Sequence, residues 1–145
     1  MRRFIFAGLM VSALAGCASV PMGSAQQDAA LKTFTAPPAD KAGIYIYRNE
    51  SFGGAVKMDV AVDGKPIGQT AAKTYLYEQV SPGVHVVTSK AENTDSIKVD
   101  AKAGTLVFIW QEVKMGILYA RSKLHLVSTD EGEAGVKETH LAVSK

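Results

Sequence analysis

Val56-Lys57-Met58-Asp59-Val60-Ala61-Val62-Asp63-Gly64-Lys65 is the stretch whose reading decides the class of fold. Val56, Met58, Val60 and Val62 alternate with Lys57, Asp59, Ala61 and Asp63, the period-two pattern of a half-buried strand, and Asp63-Gly64 then supplies a positive-φ hairpin turn. Moving outward, the same period returns where Ile97 and Val99 alternate with Ser96, Lys98 and Asp100. Ile44 to Tyr47 and Leu106 to Trp110 are apolar on both parities, as central strands covered on both faces are. Ser81-Pro82-Gly83 fixes φ at the proline and frees it at the glycine, which suits a type II turn, and further breaks fall at Gly53-Gly54, Ala103-Gly104 and Gly116. The expected strands are 44–48, 56–62, 75–80, 84–89, 97–100, 105–113, 117–120 and 124–127. About seven to eight short strands at this density predict an all-β domain over residues 41–145, an antiparallel β-sandwich or a small barrel. In the tail from Thr129 to Ala142, Asp130 and Glu131 favour a helix start while Gly132 and Gly135 oppose it.

The whole chain of 145 residues fits one domain, and 47% hydrophobic with 21% charged residues excludes collagen, coiled coil and wholesale disorder. Sixteen Lys and Arg against fourteen Asp and Glu give a net charge of +2, too little for counterion-driven nucleic-acid binding. The single cysteine excludes an internal disulfide and any multi-thiolate metal site.

Residues 1–16 read as an address. Arg2 and Arg3 form a positive n-region, and Phe4 to Ala15 is an unbroken run of apolar and small residues. As a helix that run would span about 18 Å, well short of the roughly 30 Å of a bilayer core, so a signal peptide is the better reading than a transmembrane anchor. Leu14-Ala15-Gly16-Cys17 resembles the lipobox of bacterial lipoproteins, which implies cleavage between Gly16 and Cys17 and acylation of the Cys17 thiol. Cleavage would remove Arg2 and Arg3 and leave zero net charge, so attachment to a membrane would rest on the lipid alone. By resemblance to enterobacterial sorting, Ala18 directly after the cysteine implies the periplasmic face of the outer membrane rather than the inner membrane. Residues 17–40 are small and polar with Pro37-Pro38 near their end, and read as the lipidated N-terminus and a flexible linker. Within it, Ser24 with Gln27 forms a capping-box pair, with Leu31 and Phe34 at helical spacing behind it.

Ile44-Tyr45-Ile46-Tyr47-Arg48, Val62-Asp63-Gly64-Lys65 with Ile67-Gly68, Tyr75 to Tyr77, Ser81-Pro82-Gly83-Val84-His85, and Gly104 before a hydrophobic strand together resemble a family of small bacterial lipoproteins whose shared domain has no assigned function. The Asp-Gly to Pro-Gly-x-His half is also similar to short surface-domain repeats with a Pro-Glu-Gly-Ala consensus. The resemblance implies a β-sandwich in the cell envelope and brings no catalytic residues with it.

Motifs with a known chemical basis are missing: the chain has no Gly-x-Ser-x-Gly, His-Glu-x-x-His, phosphate-binding Gly-rich loop or Cys-x-x-Cys. His85, His125 and His140 are widely spaced and none has a second ligand at helical or hairpin spacing, so no metal or other cofactor is expected. His85 is expected to cap turn carbonyls, His125 to face solvent, and Met58 and Met115 to fill core. Asp59 with Asp63, and Asp130 with Glu131 and Glu133, read as a strand face and a solvated acidic turn. Tyr45, Tyr47, Tyr75 and Tyr77 form two alternating pairs, which are either core-edge tyrosines stacking across a sheet or a shallow face that binds glycan or a protein partner, with Arg48 at its end. Arg48 itself reads as a structural residue paired with Glu50 or Glu78.

These readings converge on a lipid-anchored envelope protein acting as a non-catalytic binding or structural module, with an envelope protein or glycan as partner and no nucleic acid. Two alternatives from other classes are a small hydrolase or glycan-modifying enzyme with an Asp/Glu/His site, and a metal-binding envelope protein.

Overall fold

The computed structural model describes residues 19–143. Gly16 and Cys17, the positions expected from sequence to be cleaved and lipidated, lie outside the described residues. The described chain runs α1 (Ala25–Leu31), β1 (Ala42–Arg48), β2 (Met58–Val62), β3 (Lys65–Thr70), β4 (Thr74–Val80), β5 (Gly83–Lys90), β6 (Thr94–Ala101), β7 (Leu106–Met115), β8 (Ala120–Val127), α2 (Thr129–Lys137) and β9 (His140–Leu141). Two sheets form a sandwich, one ordered β8-β7-β1-β4-β9 and the other β3-β2-β5-β6.

The expected β-sandwich is present, with one refinement. β1 pairs antiparallel with β4 but parallel with β7, and β9 lies parallel to β4, so the larger sheet is mixed. Hairpins force neighbours such as β7 and β8 to run antiparallel. β1 and β7 are distant in sequence, and their relative direction is set by how their faces match the core, which no local pattern encodes.

The alternating residues of β2 face inward as read, with Met58, Val60 and Val62 buried. Asp63 and Gly64 both adopt positive φ, 51° and 79°, closing the β2–β3 hairpin. β3 was not expected as a strand because Pro66 and Gly68 interrupt its pattern; it lies at a sheet edge, where proline is tolerated. The expected strand at 117–120 is a loop up to Tyr119, and β8 begins at Ala120. Met58 is core, but Met115 is 78% exposed because it sits at the turn end of the β7–β8 hairpin, paired with Ala120.

β1 is buried along its whole length. Ile44 and Ile46 join Leu76, Ile109, Val60, Val62, Val87 and Val99 between the sheets. Tyr45 and Tyr47 point the other way, into a second apolar layer with Tyr75, Phe108, Val136 and Leu141. The segment read as a linker helps to cover that layer. Val20 belongs to the core, Met22 bridges to Ala142, and α1 with Phe34 lies over the tyrosines. The Ser24 capping box is formed, with Gln27 N donating to Ser24 Oγ at 3.1 Å and the Gln27 side chain accepting from Ser24 N at 3.2 Å. From Val20 onward, therefore, the chain is part of the folded body, because the aromatic face of β1 needs a cover.

α2 supplies the rest of the cover and resolves the ambiguous tail. Ser128 caps its N-terminus by accepting from Glu131 N at 3.2 Å, and Asp130 and Glu131 sit in its first turn. Gly132 and Gly135, which argue against a helix by propensity, are where it meets the aromatic layer. A Cβ at Gly132 would lie 2.2 Å from Phe108 Cγ, and one at Gly135 would lie 2.1 Å from Tyr47 Cε2. Close approach outweighs intrinsic preference here.

At the β4–β5 end, His85 locks two turns together. Its Nδ1 lies 2.5 Å from Asp63 Oδ2 and its Nε2 lies 2.6 Å from the Ser81 carbonyl. Both ring nitrogens face acceptors, an arrangement that suits the doubly protonated imidazolium. The Asp63 hydrogen bond accordingly raises the His85 pKa above its ordinary value, against the effect of desolvation, and the bond from His85 lowers that of Asp63.

Gly135→Ala should destabilise the protein by about 1–3 kcal/mol, since overpacking against Tyr47 exceeds the roughly 1 kcal/mol gained in helix propensity; urea denaturation measures it, and a stabilised variant would contradict the packing. A chain beginning at Lys41 should unfold at lower urea and bind a hydrophobic dye, because Tyr45, Tyr75 and Leu141 lose their cover. For His85 the native state holds the proton more tightly than the unfolded chain. Its stabilising contribution is therefore complete below the unfolded pKa of about 6.5 and is lost as pH rises through the raised native value. Melting temperatures followed upward from pH 6 should show this decline in the wild type and not in His85→Gln.

Candidate functional site

The residues proposed from sequence as a binding face are mostly interior. Tyr45, Tyr47 and Tyr75 are each at most 2% exposed, and Tyr77 is half-buried. The tyrosines do stack across β1 and β4, where Tyr45 faces Tyr77 and Tyr47 faces Tyr75 in register. Tyr45 lies 4.7 Å from Tyr77 and 5.1 Å from Phe108 between ring centroids, and Phe34 packs edge-on at 5.5 Å. Their polar tips are used inside the fold: Tyr45 Oη donates to the Leu31 carbonyl at 2.7 Å and Tyr75 Oη to Asp28 Oδ1 at 2.8 Å. Burial raises the pKa of both phenols, and that of Tyr47 is pushed up to about 12, with Glu131 and Glu138 adding to the effect. The core-edge reading of these tyrosines describes them; the shallow exposed face is corrected, because α1 and α2 lie on it.

Arg48 is fully buried. Its Nη1 and Nη2 donate to the carbonyls of Val56 at 2.6 Å and Gly53 at 2.7 Å, so it organises the loop after β1 instead of forming the expected close pair with Glu50 or Glu78. Glu78 stands opposite Ile44, at the far end of β1. Glu50 acts on Arg48 only through its field; its carboxylate accepts from Val113 N at 2.8 Å, and burial raises its pKa.

Each histidine has different partners. His85 is held by Asp63 and Ser81, and His140 lies 3.7 Å from Asp28. His125 is partly exposed, stacks on Trp110 at 4.8 Å and meets Glu112 Oε2 at 2.7 Å. The His125 bond lowers the Glu112 pKa despite partial desolvation. Among the described residues no group of three or more His, Cys, Asp or Glu could hold a metal ion. Two open depressions border the aromatic layer. One, of about 440 Å³, lies beside α1 and is lined by Leu31, Tyr77, Leu141 and Val143; the other, of about 250 Å³, lies at Tyr47, Trp110, Glu131 and Glu138.

Sequence reasoning missed the most unusual surface feature. Between β7 and β8 the chain exposes Met115 (78%), Ile117 (92%), Leu118 (84%) and Tyr119 (53%) in one tight turn. Such a turn would ordinarily be polar, and contiguous exposed apolar residues mark interaction sites. The turn is held from beneath by Glu92, whose carboxylate accepts from the backbone N–H groups of Ile117 at 3.1 Å, Leu118 at 2.8 Å and Tyr119 at 3.1 Å. These bonds, led by that from Leu118, lower the Glu92 pKa. A Cβ at Gly116 would fall 1.5 Å from Glu92 Oε2 and 2.9 Å from Ala120 N, so any side chain there would displace the Glu92 carboxylate from the turn. Phe52, also exposed, sits on the neighbouring loop, whose Gly53 approaches Val113 and Ala120. The available signal was Gly116 followed by three large apolar residues with neither alternation nor turn chemistry, which the strand reading absorbed.

Among the described residues no helix is long and apolar enough to cross a membrane. No solved structure matches the chain. An uncharacterised protein of Haemophilus influenzae is 33% identical over 132 residues, covering 90% of this chain and 79% of that relative. The model of the family described as protein of unknown function (DUF2846) matches residues 38–122, from the approach to β1 through the first three residues of β8. The match spans more than half of the chain, and the chain belongs to the DUF2846 family.

Proposed function

We propose that the protein is a lipid-anchored lipoprotein of the cell envelope, attached through Cys17 at the periplasmic face of the outer membrane, and that it acts as a non-catalytic binding or structural module. The observation that carries this reading is the position of Val20: it is already a core residue, three positions beyond the lipobox cysteine. Three extended residues reach about 10 Å, so an acylated Cys17 would hold the folded body against the membrane surface instead of on a long tether. Diacylation suffices for stable anchoring where net charge offers no help. The use of the side chains supports a non-catalytic role. His85 and the buried tyrosines and Arg48 serve turns, core and loop, and the surface feature left over is an apolar protrusion suited to contact.

Intact-mass analysis of the membrane fraction should find a mature chain beginning at Cys17 with added acyl mass, and Cys17→Ser should leave an uncleaved precursor. A mature species without lipid mass would refute the anchor. Ala18→Asp should shift the lipidated protein toward the inner membrane on density fractionation.

A further inference from the structure

We propose that the tip of the β7–β8 hairpin, Met115 to Tyr119, inserts into the interfacial layer of an anionic phospholipid bilayer and so forms a membrane contact of its own, independent of any lipid on Cys17. Three observations lead there. The tip is convex and aliphatic, with Ile117 and Leu118 almost fully exposed and a single aromatic, Tyr119, half in solvent. A wedge of this shape can immerse its side chains in a fluid apolar phase, whereas a specific protein interface needs about 800 Å² per partner and a well-packed centre. Tyrosine at the margin of the wedge is the side chain that favours the headgroup level.

Charge is the second observation. Lys114 and Arg121 are directly opposed in the hairpin register, one step behind the Met115–Ala120 pair, and both are exposed. Next along the same face come Glu112 and Lys123, also in register. Lys114 pairs with Glu112 at 3.5 Å and Lys123 with Asp95 at 3.9 Å, but each amine is more than half exposed and each carboxylate less than a quarter, so with Arg121 the outermost charges behind the tip are cations. An apolar tip followed by a cationic collar matches acyl chains followed by phosphates. Glu92, the carboxylate nearest the tip, accepts from the three backbone N–H groups of the loop and also lies within the field of Arg121, which leaves Lys114 as the cation beside the tip that Glu92 does not engage.

The third observation is rigidity. The Glu92 clasp and Gly116 set the turn before it meets any partner, so little order has to be created on insertion. The wedge is preformed, and its backbone N–H groups at 117–119 already have an acceptor, which removes the main obstacle to placing a turn at the edge of an apolar phase.

A nitroxide on Leu118→Cys, in a full-length chain carrying Cys17→Ser, tests this without dependence on acylation. In vesicles of phosphatidylethanolamine and phosphatidylglycerol the label should be accessible to oxygen and shielded from an aqueous nickel reagent. A label on Lys98→Cys, on β6 of the other sheet, should show the reverse. Adding Lys114→Glu and Arg121→Glu should return the Leu118 label to water. An aqueous Leu118 label, a depth unaffected by the charge reversals, or a label that is sequestered only when envelope protein extract is added would each overturn the proposal, the last by assigning the surface to a protein. Loss of acylation on Cys17 would leave this result unchanged, so the two readings fail separately.

Discussion

The arrangement of the molecule depends on β1 being buried on both faces. A strand that is apolar on one parity can leave its other side in water, but Ile44-Tyr45-Ile46-Tyr47 has no such side. The inner face requires a second sheet, and β2, β3, β5 and β6 provide it. The outer face requires something that is not a sheet, because β7 and β4 already occupy both edges of β1. α1, Phe34, α2 and β9 all converge on that face. The burial of the supposed linker, the two glycines within α2 and the short β9 follow from the same requirement.

Four polar side chains trapped between the sheets are paired across them, whereas Arg48 Nε and Trp110 Nε1 are buried without a hydrogen-bond partner. Between the sheets, Thr70 Oγ1 donates to Gln111 Oε1 at 2.6 Å, Gln111 Nε2 donates to Ser89 Oγ at 2.6 Å, and Ser89 and Ser122 share a hydroxyl bond at 2.6 Å. This chain links β3, β7, β5 and β8 and ties the sheets at a defined register; a buried network satisfied in this way specifies one packing where apolar contacts alone would tolerate several. The edge of β8 is sealed by side chains instead of a further strand. The Asn93 side-chain amide donates to the Ser122 carbonyl at 2.9 Å and accepts from Ser122 N at 2.7 Å, and Asp95 accepts from Leu124 N at 2.7 Å. Glu92 continues the row to the hairpin tip, so the device that protects a sheet edge also shapes the exposed wedge.

Function is therefore sought outside the aromatic layer. Tyrosines and an arginine on one strand resemble a recognition surface in composition, yet here they are bonded to Leu31, Asp28, Gly53 and Val56 within the fold. The apolar turn at 115–119 has no such internal use for its side chains, although its backbone is held firmly. It is a preformed apolar protrusion, on a body whose described core begins at Val20, and it is the surface feature left free for contact.

Much of the fold was legible in local sequence because its signals are local. Period-two alternation marks β2 and β6, double-parity runs mark β1 and β7 as central, and Asp63-Gly64 and Pro82-Gly83 mark turns through φ preferences that act within a few residues. The Ser24 box could be read for the same reason. Tertiary structure alone decided matters that depend on contacts between distant segments: the parallel pairing of β1 with β7, the folding of residues 20–40 onto the domain, and the helix through Gly132 and Gly135. It also decided which tyrosines are inside. Exposure belongs to the surroundings of a residue, and the cover over Tyr45 and Tyr47 comes from positions at both ends of the chain. The hairpin tip lay between these cases, visible as Gly116-Ile117-Leu118-Tyr119, but only the Glu92 carboxylate, some twenty-five residues earlier in the chain, makes it a turn instead of a strand.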